Sequence, residues 1–319
     1  MSKKITKKGS EPSEMEQARY INPLTDFGFK RIFGTEANKD LLVHFLDAVL
    51  DIDGGIKELH YDNTEKQGRA EIDRKAVFDL HCTTGKGERI IIEMQNLRQK
   101  YFRDRALYYA SFPIQEQGEK GKDWNFELRP VYSINIVNYR FGNKTSAGKY
   151  VSFVQLLDRD TCTVFFDKLM LVFLELPRFT RKEHELQNDL DRWMYVLKHL
   201  AKLYDLPEAL RNRVFEKLFR IAEILKLSPN ERKDYDQSLK NYRDMYLIEN
   251  ELKNEIVKQK AIVRKKNADL KRLSIDFQKQ SSALYNSVRI LLEAGVSVQK
   301  IADSTGFSIA EIEQIKAHI

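Results

Sequence analysis

Residues 74–95 read RKAVFDLHCTTGKGERIIIEMQ, and apolar and polar side chains alternate on both sides of a polar stretch that contains two glycines. Alternation with a period of two is typical of a β-strand with one buried face. The pattern therefore predicts two strands, Ala76–His81 and Arg89–Gln95. The polar stretch Thr83–Glu88 predicts a turn of more than two residues, so the segment is interpreted as a β-hairpin.

Two acids, Asp79 and Glu93, lie in the middle of these apolar strands. The alternation places Asp79, Glu93 and Gln95 on one face of the hairpin, while Phe78 and Leu80 share the opposite, buried face. Burying a carboxylate is costly unless something compensates its charge, and Mg²⁺ prefers carboxylate and water oxygens. The spacing alone leaves two interpretations open: a metal site, or edge acids that face solvent or pair with arginines.

The rest of the chain changes character at Pro177. Before it, the pattern predicts helices at 25–33, 41–50 and 96–117, and strands at 55–60, 130–137, 150–157 and 168–176. After it, only helices are predicted, at 189–203, 207–227 and 231 to about 280. This order favours a mixed α/β sheet followed by an all-helical region.

Five stretches of the chain together resemble one nuclease family. Residues 74–95 resemble the active-site hairpin of the PD-(D/E)XK nuclease superfamily. The ending E-x-Q resembles that of its recombination-promoting nuclease (Rpn) branch of transposase-like proteins. The other four stretches are NPLTDFGFKRIFGTEANKDLLVHFLDAVL (22–50), YFRDRALYYAS (101–111), LELPRF (174–179) and LSPNERKDYDQSLKNYRD (227–244). The resemblance covers Tyr20 to Met245. It implies an α/β fold with a PD-(D/E)XK, restriction-endonuclease-like core, in which helices flank a mixed central sheet, and a C-terminal all-helical extension.

The resemblance implies a metal-dependent DNA endonuclease that hydrolyses phosphodiester bonds and promotes recombination or is associated with mobile elements. Asp79 and Glu93 would then hold the metal, with the backbone carbonyl of Met94 as a third ligand. Asp26 matches an outer metal ligand of some superfamily members, although an acid at a helix N-terminus is also favoured by the helix dipole. The implied cofactor is Mg²⁺, with Mn²⁺ or Ca²⁺ as alternatives.

Gln95 is the main departure from the superfamily pattern, because many members carry a lysine there that orients or activates the attacking water. The resemblance implies that Gln95 positions the attacking water by a hydrogen bond, but a glutamine supplies no positive charge. Lys100 or Arg105 on the following helix could supply that charge, or the metal itself could lower the pKa of the water. Arg105, Lys100 and Lys30 are therefore candidates for contacting DNA phosphates, against the ordinary interpretation of solvated basic residues.

Composition limits the classes of function. The 319 residues include 54 Lys and Arg against 47 Asp and Glu, and the net charge of +7 favours an anionic partner such as DNA. The longest apolar runs fall short of the roughly 20 residues that cross a bilayer, so no membrane partner is expected. No nucleotide-binding motif appears, and two cysteines and six scattered histidines make a zinc site unexpected. We expect a cytoplasmic location, and the resemblance implies a bacterial, nucleoid-associated protein.

Four segments are predicted along the chain: a disordered polar tail at 1–19 without a signal-peptide core, a nuclease domain at 20–178, a helical region with a long charged helix at 179–281, and a helix-turn-helix-like unit at 282–319. In the last segment Gly306 permits the turn, and Ser308 to Glu311 form a capping box. This unit has two interpretations, DNA binding or protein packing. The basic stretch 253–272 is likewise either a solvated helical face or an arm that binds phosphates.

Two further functions fit the same residues. The chain could be a non-catalytic DNA- or protein-binding module on a vestigial nuclease fold, which Gln95 favours and the retention of Asp79 and Glu93 opposes. It could also cleave RNA by the same chemistry. The long helix allows a homodimer, which would place two active sites on opposite DNA strands.

Overall fold

The computed structural model describes residues 18–66, 76–118, 125–140 and 148–319. The chain divides into two compact units, and the division falls between Tyr246 and Leu247. The predicted domain boundaries at residues 178 and 281 stay predictions. Residues 1–17 of the predicted polar tail lie outside the described residues.

The first unit combines eight described strands with helices that precede, interrupt and follow them. Its helices are α1 (Asp26–Phe33), α2 (Lys39–Leu50), α3 (Phe102–Gln115), α4 (Asp189–His199) and α5 (Arg213–Ala222). Its strands are β1 (Leu59–Tyr61), β2 (Glu65–Lys66), β3 (Ala76–Val77), β4 (Leu80–Thr84), β5 (Arg89–Gln95), β6 (Val131–Val137), β7 (Val151–Leu157) and β8 (Val164–Glu175). Helix α6 (Pro229–Glu293) begins in this unit and continues into the second, which adds α7 (Val298–Thr305) and α8 (Ile309–Lys316).

The central sheet has six strands in the order β1-β4-β5-β6-β8-β7. Strand β5 pairs antiparallel with β4 and parallel with β6, and β6 pairs parallel with β8. Strands β1 and β7 add antiparallel edges, while β2 and β3 form a separate two-stranded sheet. The mixed α/β sheet that the sequence predicts is therefore confirmed.

Both faces of the sheet are buried at its middle strands β4, β5 and β6, whereas β7 and the start of β8 are largely exposed. On β5, Ile90 and Ile92 belong to the larger core, which α1, α2, α4 and α5 cover, whereas Ile91 belongs to a second core under α3. The larger core includes Phe29 from α1 and Trp193 from α4. Because the sheet is covered on both sides here, Ile90, Ile91 and Ile92 are all buried, and the predicted alternation with one buried face is wrong for β5.

Local signals in the sequence are confirmed where they depend on neighbouring residues. The Thr25 hydroxyl caps α1 by accepting a hydrogen bond from the Gly28 amide at 3.0 Å, and Gly34 follows the last residue of that helix. In the turn before β5, Gly87 has a φ of 84°, a left-handed value that favours glycine. The Thr84 amide donates to the Glu88 carbonyl at 3.0 Å and closes this turn.

The first strand of the predicted hairpin is wrong in one respect. It is interrupted, because β3 ends at Val77 and β4 begins at Leu80. Phe78 donates its amide to the Thr64 carbonyl at 2.9 Å and packs in the core under α3. Leu80 packs in the opposite core, so Phe78 and Leu80 do not share a face as predicted. The interruption leaves Asp79 outside the regular ladder.

The second unit consists of the remainder of α6 with α7 and α8. Val288 from α6 packs with Ile301, Ile312 and Ile315 in a small core. Ser308 and Glu311 form the predicted capping box, in which each side chain accepts from the other residue's backbone amide. Within the described residues, no helix of either unit is both long and apolar enough to span a membrane.

Candidate active site

Asp79 and Glu93 meet where β5 ends and β4 begins. Glu93 is buried near the carboxyl end of β5, and Asp79 lies in the interruption just before β4. The Asp79 Oδ2 atom accepts a hydrogen bond from the Met94 amide at 2.6 Å. This bond takes the place of strand pairing at the interruption and fixes the Asp79 carboxylate beside β5.

Glu93 is a buried acid whose two oxygens have different surroundings. Its Oε2 atom lies 3.7 Å from an Arg105 Nη atom. Its Oε1 atom is buried and accepts no hydrogen bond from any residue that the structure describes, and we call it the open oxygen. An unsatisfied buried acceptor costs free energy, typically about 1–3 kcal/mol. The open oxygen can therefore accept a cation or a hydrogen-bond donor that the described residues do not supply.

The two acids are electrostatically coupled. Burial, and next the negative charge of Asp79, raise the pKa of Glu93 to about 8, although Arg105 opposes the shift. Burial also raises the pKa of Asp79, and the hydrogen bond from the Met94 amide opposes that rise. Two neighbouring carboxyl groups with raised pKa values favour a proton or a cation between them.

Arg105 links the acids to Gln95. One of its Nη atoms donates a hydrogen bond to Gln95 Oε1 at 2.6 Å. The Gln95 amide nitrogen donates in turn to the Leu97 carbonyl at 3.0 Å, which fixes the orientation of the amide. The guanidinium also lies 5.2 Å from the centre of the Phe102 ring. Of the two cations proposed to replace the superfamily lysine, Arg105 is therefore the one at the acids.

Asp26 and Lys30 lie on α1, at the entrance to the same region. Asp26 and Asp79 both line a cavity of about 160 Å³. Asp26 is mostly exposed and pairs with Lys30 at 2.8 Å. The start of α1 is fixed by Gly28, where an added Cβ atom would lie 2.1 Å from the Asn22 carbonyl oxygen. Lys100, by contrast, is exposed before α3, with its ammonium 4.9 Å from the centre of the Tyr101 ring.

The residues present fit a hard divalent cation bound by few protein groups. Among the described residues, no cluster of three or more His, Cys, Asp or Glu side chains could hold a metal. Two carboxylates remain, and one of them carries the open oxygen. Carboxylates completed by backbone carbonyls and waters are ligands that Mg²⁺ accepts. The third ligand predicted at the Met94 carbonyl stays a prediction.

Sequence reasoning missed Asn135, a fully buried residue of β6. Asn135 lies in register with Glu93 on the neighbouring parallel strand. Its amide nitrogen donates to the Ser133 carbonyl at 3.1 Å, while its Oδ1 atom has no hydrogen-bond partner within the described part of the chain. The available signal was one amide between two isoleucines in VYSINIV, which is costly in a buried strand unless it is used.

The comparisons with known proteins agree with the fold. Residues 23–251 match a family model described as PD-(D/E)XK nuclease family transposase. No curated protein and no solved structure gave a match. The matched region spans more than half of the chain and contains the whole central sheet together with Asp79, Glu93 and Gln95. The resemblance stated from the sequence is confirmed, and the chain belongs to the PD-(D/E)XK nuclease family transposases.

Proposed function

We propose that this protein is a divalent-metal-dependent DNA endonuclease in which Asp79 and Glu93 hold the metal. Membership of a nuclease family supports the reaction class. The observation that carries the proposal is the open oxygen of Glu93, buried beside a second carboxyl group that raises its pKa. A purely structural acid would be expected to have both oxygens satisfied by the protein.

Each neighbouring side chain has a role in this proposal. A bound Mg²⁺ would supply charge stabilisation on the phosphodiester and a lower pKa for the attacking water. The Met94 amide holds the Asp79 carboxylate in place. Arg105 supplies the positive charge that Gln95 lacks, and Gln95 acts by orienting the Arg105 guanidinium through their 2.6 Å hydrogen bond. Asp26 acts as an outer metal ligand from the cavity that it shares with Asp79.

DNA is the proposed substrate. The net charge of +7 favours a polyanion, and Arg105 and Lys30 are near the acids, where they can contact phosphates. The family description favours a link to recombination or mobile elements, and we propose that cleavage serves such a process. The preferred metal is Mg²⁺, with Mn²⁺ and Ca²⁺ as ions to compare.

The proposal is tested by nicking of supercoiled plasmid in Mg²⁺, Mn²⁺, Ca²⁺ or EDTA. We expect metal-dependent conversion to nicked or linear DNA by the wild-type protein. Asp79→Asn and Glu93→Gln should each lower the rate by about 10³-fold or more, because each removes a proposed metal ligand. Asp104→Asn is the matched control, since Asp104 is an exposed acid on α3 and should retain the wild-type rate.

The same experiment separates the alternatives. Folded wild-type protein that cleaves no DNA in any metal but still retards it on a gel would favour the binding module. Cleavage of RNA but not DNA, lost in the same two variants, would keep the site and change the substrate. Cleavage that survives in Asp79→Asn and Glu93→Gln would place the active site elsewhere.

A further inference from the structure

In the second unit, helix α6 carries a row of apolar side chains that no other described residues of the chain cover. Every residue from 250 to 287 of α6 is exposed. Apolar side chains nevertheless recur at each seventh position, and all are between 40% and 71% exposed. We call these positions the heptad seam: Ile256, Val263, Leu270, Phe277 and Leu284.

The period of the heptad seam distinguishes it from an ordinary amphipathic helix face. A straight α-helix has 3.6 residues per turn, so a strict seven-residue repeat drifts around it and is followed only by a partner helix that supercoils with it. The second position of a coiled-coil repeat lies three residues after each seam residue. It is apolar at Leu273, which is 68% exposed, and at Leu252, which is 61% exposed and precedes Ile256; it is polar at Gln259, Lys266 and Gln280. The apolar repeat at every seventh position nevertheless spans four heptads, a length that indicates a coiled coil.

We propose that residues 252–284 form a parallel two-stranded coiled coil with the same segment of a second copy of this protein. In a parallel pair each seam residue faces its own counterpart, so five layers are wholly apolar. Ile256 and Val263 supply the β-branched residues that favour two strands at these positions. Both copies then join the coiled coil to their first units at its N-terminal end.

Charge on the flanks favours a second copy in parallel orientation. Glu255 and Lys260 occupy the two positions that border the seam, five residues apart. In a parallel dimer such positions face each other across the interface, which gives an attractive pair on each side. In the antiparallel arrangement with full overlap, Asp269 would face Asp269 of the second copy. Gln280 would also lie opposite Ile256, and Gln259 opposite Phe277, whereas a parallel pair sets each glutamine against its own counterpart.

Lys266 is the weakest layer of the proposed interface. It lies three residues after Val263, at the same heptad position as Leu252 and Leu273, and in a parallel dimer it faces its own counterpart. Its neighbours Arg264 and Lys265, like Lys271 and Arg272, fall on the outer side of the helix. The basic composition of this stretch is therefore compatible with an apolar interface on the other side, and one lysine provides a specific test.

The test is the oligomeric state of the full chain by sedimentation equilibrium across micromolar concentrations. We expect a concentration-dependent dimer. Lys266→Leu should tighten dimerisation by about tenfold or more, because it replaces a repelling layer with an apolar one, and Leu270→Asp should weaken it by about 100-fold. Lys265→Leu is the matched control and should leave the dissociation constant unchanged. A monomer at every concentration for both wild type and Lys266→Leu would overturn the proposal. A dimer whose dissociation constant changes in neither Lys266→Leu nor Leu270→Asp would overturn it as well.

Orientation is tested by a disulfide. In a Cys162→Ser background the remaining Cys82 is buried, so that Gln259→Cys supplies the only exposed thiol among the described residues. A parallel dimer brings the two Gln259→Cys thiols together, and mild oxidation should join most of the protein into covalent dimers. An antiparallel dimer would cross-link efficiently only when Gln259→Cys and Phe277→Cys are combined, and that result would overturn the parallel arrangement.

Discussion

Glu93 and Asp191 are both buried acids that face an arginine, but the protein satisfies only one of them. The Asp191 carboxylate accepts hydrogen bonds from the Tyr150 hydroxyl, the Arg181 guanidinium and the Gln187 amide. The Glu93 carboxylate has an Arg105 Nη atom at 3.7 Å and a hydrogen bond from the Asp79 backbone, and it leaves its Oε1 atom open.

The difference distinguishes an acid that stabilises the fold from one that we propose to bind a metal. Asp191 lies near the start of α4 and ties that helix to Tyr150 and Arg181 with nearly every acceptor position used. Glu93 remains incomplete, and its pKa is raised to about 8. Burial alone does not distinguish the two acids. The number of hydrogen-bond partners that the protein supplies distinguishes them.

Removing the satisfied acid should cost the most stability. Asp191→Ala leaves the Tyr150 hydroxyl, the Gln187 amide and a partly buried Arg181 without their acceptor, and should lower the free energy of unfolding by about 3–5 kcal/mol. Urea denaturation measures this. Asp189→Ala is the matched control, because Asp189 is 42% exposed, pairs with Arg192, and should cost less than about 1 kcal/mol. Equal losses of unfolding free energy in the two variants would contradict a special structural role for Asp191.

Removing the open acid should instead stabilise the metal-free protein at high pH. The pKa of Glu93 is raised from 4.5 to about 8, so the folded state favours the protonated form. Its contribution to stability is therefore fully present below pH 4.5 and is lost as the pH rises through about 8. Glu93→Gln should remove this loss and exceed the wild type by a few kcal/mol at pH 9 in EDTA. Urea unfolding at pH 6 and pH 9 tests the difference, and an unchanged pH dependence in Glu93→Gln would contradict it.

How much the sequence predicts depends on how local each signal is. The Thr25 cap, the turn at Gly87 and the Ser308–Glu311 capping box depend on residues within a few positions, and all three are confirmed. The shared face of Phe78 and Leu80 is wrong because Phe78 pairs with Thr64, a tertiary contact that interrupts the strand. The alternation of side chains within one strand carries no information about a contact with a distant residue, so it cannot predict such an interruption.

The candidate site shows the same limit. The sequence places Asp79, Glu93 and Gln95 in one region, since they belong to one hairpin. It leaves open whether Lys100 or Arg105 accompanies them, because that depends on how α3 packs on the sheet. Asn135 could not be assigned to the site at all, since only the pairing of β5 with β6 brings it into register with Glu93.

Arg105, the arginine that faces Glu93, provides a further test of the candidate site. We expect Arg105→Gln to lower the nicking rate by about 10–100-fold, because it removes the positive charge beside Glu93 and the donor to Gln95. The double variant Gln95→Lys with Arg105→Gln should recover part of the rate by returning a cation to the superfamily position. Arg103→Gln, on the exposed side of α3, is the control. A double variant no faster than Arg105→Gln alone would show that charge is not what Arg105 contributes.

Asp26 should give the smallest effect, because it is an exposed acid at the edge of the site. Its side chain is 66% exposed and already pairs with Lys30, so Asp26→Asn should change the free energy of unfolding by less than about 1 kcal/mol. Sharing a cavity with Asp79 nevertheless places its charge near the proposed metal, and we expect Mn²⁺ binding measured by calorimetry to weaken by about two- to tenfold. Lys30→Gln breaks the same ion pair and keeps the carboxylate, so it should not weaken Mn²⁺ binding. Equal Mn²⁺ affinities for wild type and Asp26→Asn would reduce Asp26 to a helix N-terminal acid and confine the site to the two buried carboxylates.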